Sequence, residues 1–206
     1  MNWVIGIDEV GRGPIAGPVT VCALAIRDRN LIETCRNFAS RNLSLDSKKL
    51  SPGQREKIVA RLKELKKIGK LDYKISSVAH TIIDKKGIVW AVNLAISRSL
   101  TRLTVQLGYQ VTKSEVLLDG GLRAPKVFKN QKTITRGDSL VPIIGLASVL
   151  AKVHRDKKMT KLGTRYPAWD FAKHKGYGTG AHYAAIGKHG LSPIHRTSYL
   201  TRLTFR

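Results

Sequence analysis

Acidic residues are scarce in this sequence. Asp and Glu number 14 of 206 residues against 37 Lys and Arg, a formal net charge of +23. Such an excess disfavours cationic partners and favours a polyanion, most often nucleic acid. Cysteine is scarcer still, with Cys22 and Cys35 the whole complement. Their spacing is not that of a metal site, and so few thiols exclude a disulfide scaffold; a reducing, cytoplasmic setting is expected. No apolar run approaches the length of a membrane span. The opening MNWVIGIDEV has no basic segment ahead of its apolar run, so no secretory signal is expected. Low-complexity linkers and internal repeats are also missing. What is present is 42% hydrophobic residues, enough for a core and too many for a disordered basic tail.

The expectation is one monomeric domain over residues 1–206, with roughly 160–206 as a basic helical C-terminal appendage. Residues 139–206 carry 12 basic and two acidic groups, so positive charge is densest there. WVIGI and VTVCALAI read as strands separated by a Gly/Pro loop at 11–18, and DYKISSVA as a third. LSPGQREKIVARLKEL is a helix with a capping box, Ser51 at N-cap, Pro52 at N1 and Gln54 at N3. Val89, Val92, Ile96, Leu100, Leu103 and Leu107 make the apolar stripe of a longer helix. SEVLLDGG predicts a strand ending at Asp119 and KTITRGD one ending at Asp138. The helix PIIGLASVLAKVHRDKKM follows, then short helices and loops. This order predicts an α/β fold with a mixed five-stranded sheet flanked by helices.

Asp8, Asp119 and Asp138 share a context: each follows a strand-like run, where active sites gather in α/β folds. A single Asp before Gly is commonly a turn residue. Several carboxylates brought together repel one another and resist desolvation. Divalent cations remove both problems, and hard Mg²⁺ selects oxygen ligands. Asp8 and Glu9 are adjacent, and neighbours on a regular strand point to opposite faces. For both to serve one pocket, the strand must end or bulge there.

Gly11-Arg12-Gly13 is a loop suited to close approach of backbone to a ligand. The spacing of Gly11, Gly13 and Gly17, with Pro14 between, does not make a dinucleotide signature. Ser148, Lys152 and Arg155 share one face of their predicted helix, which suits either a phosphate or solvent. HKGYGT places Tyr177 beside Lys175, where an exposed ring could stack on sugar or base. The six histidines show no zinc-type spacing and read as phosphate contacts or simple polar residues.

The ordered set GIDEVGRGPIAGPV, DSKKL, LLDG, RGD, ASVLAKVHRD, YPAWDFAKHKGYGT and SPIHRTSY spans nearly the whole chain. Together these segments resemble the ribonuclease HII family. The resemblance implies an RNase H-like fold and cleavage, with Mg²⁺ or Mn²⁺, of RNA in RNA–DNA hybrids. It also implies cleavage 5′ of single ribonucleotides embedded in duplex DNA, leaving 3′-hydroxyl and 5′-phosphate ends, with two ions during catalysis. By motif, Asp8, Glu9, Asp119 and Asp138 would be the catalytic, metal-binding carboxylates. Gly11, Arg12 and Gly13 would sense the 2′-hydroxyl, Tyr177 would stack on the deoxyribose at the junction, and Lys48, Ser148 and Lys152 would meet phosphates. Gly145–Leu146 departs from the small residues usual there, a matter of local packing. Ribonuclease HIII is disfavoured because Arg12 and its flanking glycines are present. A non-catalytic nucleic-acid binder would explain the charge but not the four carboxylates. The terminal Leu203 and Phe205 resemble half of a peptide that docks on the bacterial sliding clamp, or else they pack against the domain.

Overall fold

The structure is a computed structural model and describes residues 3–28, 30–31 and 47–201. Leu203, Phe205 and Cys35 lie outside the described residues. Five strands form one sheet in the order β3-β2-β1-β4-β5. They are β1 (Val4–Val10), β2 (Val19–Ile26), β3 (Leu71–Val78), β4 (Glu115–Asp119) and β5 (Gln131–Ile134). β1, β2 and β3 pair antiparallel, whereas β4 runs parallel to β1 and β5 parallel to β4. The mixed five-stranded α/β sheet expected from the sequence is therefore present.

Helices cover both faces, so β2 is buried at every position and reads as a continuous apolar run. On one face, Cys22, Leu24 and Ile26 pack against α1 (Pro52–Lys67) and the later helix over residues 142–165. On the other, Ile5, Ile7, Val21 and Ala23 meet α3 (Ile88–Leu107), which follows the short α2 (His80–Lys86). α1 begins with the full capping box: Ser51 Oγ accepts from Gln54 N–H, and Gln54 Oε1 accepts from Ser51 N–H. Val92, Ile96, Leu100 and Leu103 form the buried stripe of α3, but Val89 is exposed in its first turn.

β5 ends at Ile134, so the strand expected to reach Asp138 does not. Arg136 turns into the left-handed region at φ 57°, and Asp138 sits in the short helix α4 (Gly137–Leu140). Gly137 permits this turn: a Cβ there would meet Ile144 Cδ1 at 2.7 Å and Asp119 Oδ1 at 3.3 Å. α5 (Pro142–Arg165) then lies across β1 and β2. It passes close over Gly6, where a Cβ would meet the Ile143 carbonyl oxygen at 2.5 Å. Gly145 and Leu146 are both buried in α5. α6 (Phe171–His174) and α7 (Gly180–His189) complete the C-terminal region. No described helix is long and apolar enough to cross a membrane.

Candidate active site

The β1–β4 ladder stops at Ile7–Leu118, while β1–β2 pairing continues to Val10–Thr20. A crevice opens between the carboxyl ends of β1 and β4, where α/β sheets commonly bind ligands. This pocket of about 240 Å³ is lined by Asp8, Glu9, Asp119 and Asp138, by Gly11, Arg12 and Gly13, and by Lys48, Ser148, Lys152 and Tyr177. All the site residues expected from the sequence thus face one cavity, together with Val10 and Ser47. The bulge or strand end expected at Asp8–Glu9 is not what achieves this. β1 stays in register with β2 through both residues, and the divergence of β4 opens the space.

Asp8 and Glu9 are crowded electrostatically. Asp8 is 4% exposed, and burial, then Glu9 and Asp119, push its carboxyl well above the usual range. The Ser148 hydroxyl opposes this by donating to Asp8, and Ser148 Oγ also lies 2.9 Å from Ser47 Oγ. Burial raises Glu9 too, against the pull of Arg12, whose Nη1 donates to Glu9 Oε1 at 3.3 Å. The other oxygen, Glu9 Oε2, is buried without a hydrogen-bond partner. Asp119 Oδ1 accepts the Asp138 amide at 3.3 Å, and Lys48 Nζ approaches Asp138 Oδ2 at 3.6 Å. Crowded oxygen donors, one orphaned and two pushed towards protonation, fit a hard divalent cation. Among the described residues, however, no three such groups are already drawn into a ready cage. Glu9 leans to Arg12 and Asp138 to Lys48 instead.

Gly11 is held at φ 92°, and a Cβ there would clash with the Arg155 side chain and the Pro18 carbonyl. A Cβ on Gly13 would meet nothing of the protein within 4 Å, so the loop is open on the side facing the pocket. Tyr177 also lines the pocket and is 42% exposed, with the Arg155 guanidinium 5.9 Å from its ring centre. Lys152 pairs with Asp156 at 2.8 Å along α5.

Two sequence readings need correction. Arg155 is fully buried and does not share an open face with Ser148 and Lys152. Its guanidinium donates to the carbonyls of Pro18, Ala16 and Lys175. That role needs the fold of the 11–18 loop, which helical periodicity does not contain. The histidines are not all phosphate contacts either: His182 and His195 are buried against each other, and His174 stacks on His182. Arg196, missed by the sequence reading, is also fully buried, and donates to Gly17, Arg12 and Gly11 carbonyls. Its only sequence signal is its place in SPIHRTSY.

A family model described as Ribonuclease HII matches residues 5–205. Ribonuclease HII of Ruminiclostridium cellulolyticum is 40% identical over 199 residues, covering 97% of this chain and 70% of that one. Among solved structures, the PCNA:RNase HII complex from Archaeoglobus fulgidus aligns with a TM-score of 0.72 at 19% identity, covering 98% of this chain and 96% of that one. Bst-RNase HIII in complex with Mn²⁺ aligns with a TM-score of 0.65 at 18% identity, over 92% of this chain and 63% of that one. At such identities the two structures share the fold, while the sequence matches carry the relationship. The chain belongs to the ribonuclease HII family and is a ribonuclease H, an endoribonuclease acting on RNA–DNA hybrids.

Proposed function

We propose that the pocket hydrolyses the phosphodiester on the 5′ side of a ribonucleotide, in hybrids and at single ribonucleotides within duplex DNA. Asp8, Glu9, Asp119 and Asp138 would hold Mg²⁺ or Mn²⁺, two ions during the reaction. Bound there, the ions would supply an activated water and stabilise the leaving 3′ oxygen. The observation that carries the reading is the convergence of four carboxylates on one cavity in a chain of net charge +23. A site that needs so many carboxylates inside a basic protein is well matched to a metal-bound phosphate.

The protein's own groups have separable tasks on this reading. Ser148, braced by Ser47, holds Asp8 in place. Lys48 and Lys152 sit where phosphates flanking the cut would pass. A groove of about 420 Å³ shares Lys152 and continues past Arg55, Lys157, Lys173 and Lys175. It gives the strand a positive path away from the site. The Gly11–Gly13 loop would test for the 2′-hydroxyl, and Tyr177 would stack on the neighbouring deoxyribose. Residues 1–206 then work as one unit, with 160–206 supplying the ring and much of the basic surface. Mapping the cut on a duplex with one ribonucleotide tests this directly: a nick 5′ of that residue, dependent on metal, is expected. A cut elsewhere, or none, contradicts it.

A sliding clamp is a proposed partner. The Archaeoglobus fulgidus neighbour is a complex with PCNA, and Leu203-x-Phe205 is a short apolar pair of the kind that docks in a groove. Binding of the full chain to a clamp, lost in Phe205→Ala without loss of thermal stability, is the expected result. No binding by the full chain contradicts it.

A further inference from the structure

His174, His182 and His195 form a closed cluster on the backbone that carries Tyr177. His174 and His182 stack with ring centres 4.0 Å apart, and His182 Nε2 lies 2.9 Å from His195 Nε2. Phe171 packs edge-on to His182, and Trp169 meets His195 at 6.3 Å between centres. The backbone sets the tautomers. Ser192 N–H donates to His195 Nδ1 at 2.7 Å, so Nδ1 is bare and Nε2 carries the proton. The Ser192 hydroxyl, 2.8 Å from the same atom, can donate to it too, and the Ser192 carbonyl is farther, at 3.3 Å. His182 Nδ1 lies 2.8 Å from the Tyr177 carbonyl, which only accepts, so His182 is protonated at Nδ1 and bare at Nε2. The two assignments agree, because His195 Nε2–H then donates to His182 Nε2. His174 follows the same logic: it accepts the Gly176 amide at Nδ1 and donates to the Trp169 carbonyl through Nε2.

Imidazoles therefore hold the chain on both sides of the Gly176–Tyr177 peptide bond, through the Gly176 amide and the Tyr177 carbonyl. We infer that the His195–His182 pair is a positioning device that sets Tyr177 for junction reading only while both rings are neutral. The inference rests on the proposed role of Tyr177. A proton added to His182 goes to Nε2 and sets N–H against N–H across 2.9 Å, whereas one added to His195 goes to Nδ1 and faces the Ser192 amide at 2.7 Å; either drives a ring from its place. Burial lowers His182 to about 4 and lowers His195 as well, so both are neutral near pH 7. The titratable and charged groups bearing on the pair are His174 from α6 and His80 from α2. Arg155 faces the Tyr177 ring, Arg196 adjoins His195 and acts on His80, and His189 packs on Trp169. Asp84 faces His80 and accepts from Thr197 and Ser198.

The test measures affinity without divalent metal, so that nothing is cut. Its readout is the ratio of affinities for a duplex with one ribonucleotide and for a uniform hybrid. His182→Ala is expected to lower this ratio about tenfold near neutral pH, matching the loss in Tyr177→Ala, the worth of one stacked ring. In the wild type the ratio should fall severalfold as pH drops from about 7 to about 4. In His195→Gln it should stay flat, because an amide can donate to a neutral His182 or, flipped, accept from a protonated one. If Tyr177→Ala leaves the ratio unchanged, the role of Tyr177 falls and this inference with it. If Tyr177→Ala lowers the ratio but His195→Gln keeps the wild-type acid fall, the positioning inference alone is overturned. The His195→Gln profile decides the matter even if His182→Ala does not fold.

Discussion

Arg196 and Gly11 lie 185 positions apart in sequence, yet Arg196 Nη2 donates to the Gly11 carbonyl at 2.6 Å. The same guanidinium donates to Arg12 and Gly17 carbonyls at 2.8 and 3.0 Å. The Tyr199 hydroxyl adds a second bond to the Arg12 carbonyl at 3.0 Å. Arg155 holds Ala16, Pro18 and Lys175 in the same way. Two buried cations thus bind loop carbonyls rather than carboxylates, and their charge stays compatible with a polyanion overhead. The loop is shaped before substrate arrives, which lowers the entropy lost on binding.

Arg196→Ala is expected to strip the Gly11 and Gly17 carbonyls of this donor, to leave the Arg12 carbonyl with Tyr199 alone, and to lower stability by about 3 kcal/mol. Arg196→Lys should recover less than half of this, because a lysine lacks the planar fork that reaches three acceptors. Denaturant unfolding measures both. An alanine variant as stable as the wild type would show that water replaces the guanidinium and that the loop needs no brace.

Tyr177→Ala should reduce cleavage at a single embedded ribonucleotide about tenfold to a hundredfold, the range of one lost stacking contact. Cleavage within a long hybrid should fall less, because every position there offers a ribose. Steady-state rates on the two substrates measure the difference. Equal losses would make Tyr177 a general substrate contact.

Asp8 also governs stability. Its carboxyl is raised by burial, then by Glu9 and Asp119. Its stabilising contribution is complete below the unfolded value of about 4 and is lost as pH rises through the raised native value. Above that native value the metal-free protein therefore carries a destabilising charge. Asp8→Asn should raise the metal-free Tm by about 2–4 °C, equivalent to roughly 1 kcal/mol in a chain of this size. Mg²⁺ should raise the wild-type Tm, and raise that of the variant far less. Thermal scans with and without metal check both; a variant less stable than the wild type would mean the Asp8 charge is already compensated.

The sheet and its helices were legible because β2 is a continuous apolar run and α1 opens with a capping box. Asp8, Glu9 and Asp119 were legible as carboxylates that follow apolar strand-like runs, although β1 continues through Asp8 and Glu9 to Val10. Asp138 lines the same pocket as the other three carboxylates, but not from the end of a strand. Ile134 ends its strand, and the left-handed Arg136 that follows leaves no periodic trace. Val89 fits the apolar stripe by spacing but falls in the first turn of α3, beyond the packed core. Arg155 and Arg196 were opaque because their partners are backbone carbonyls far away in sequence, which carry no residue identity. The histidines were opaque for the same reason, since the Tyr177 carbonyl and the Gly176 and Ser192 amides fix their roles.

On the proposed reading, Asp8, Glu9, Asp119 and Asp138 form one metal-dependent hydrolytic centre that acts at a ribonucleotide. This reading is tested most directly by Asp8→Asn on a duplex containing a single ribonucleotide, with cleavage and binding measured side by side. Loss of cleavage by at least about a thousandfold is expected, with affinity within about threefold of the wild type, since phosphate contacts supply most binding. Cleavage by Asp8→Asn at the wild-type rate, with the same metal dependence, would contradict this assignment.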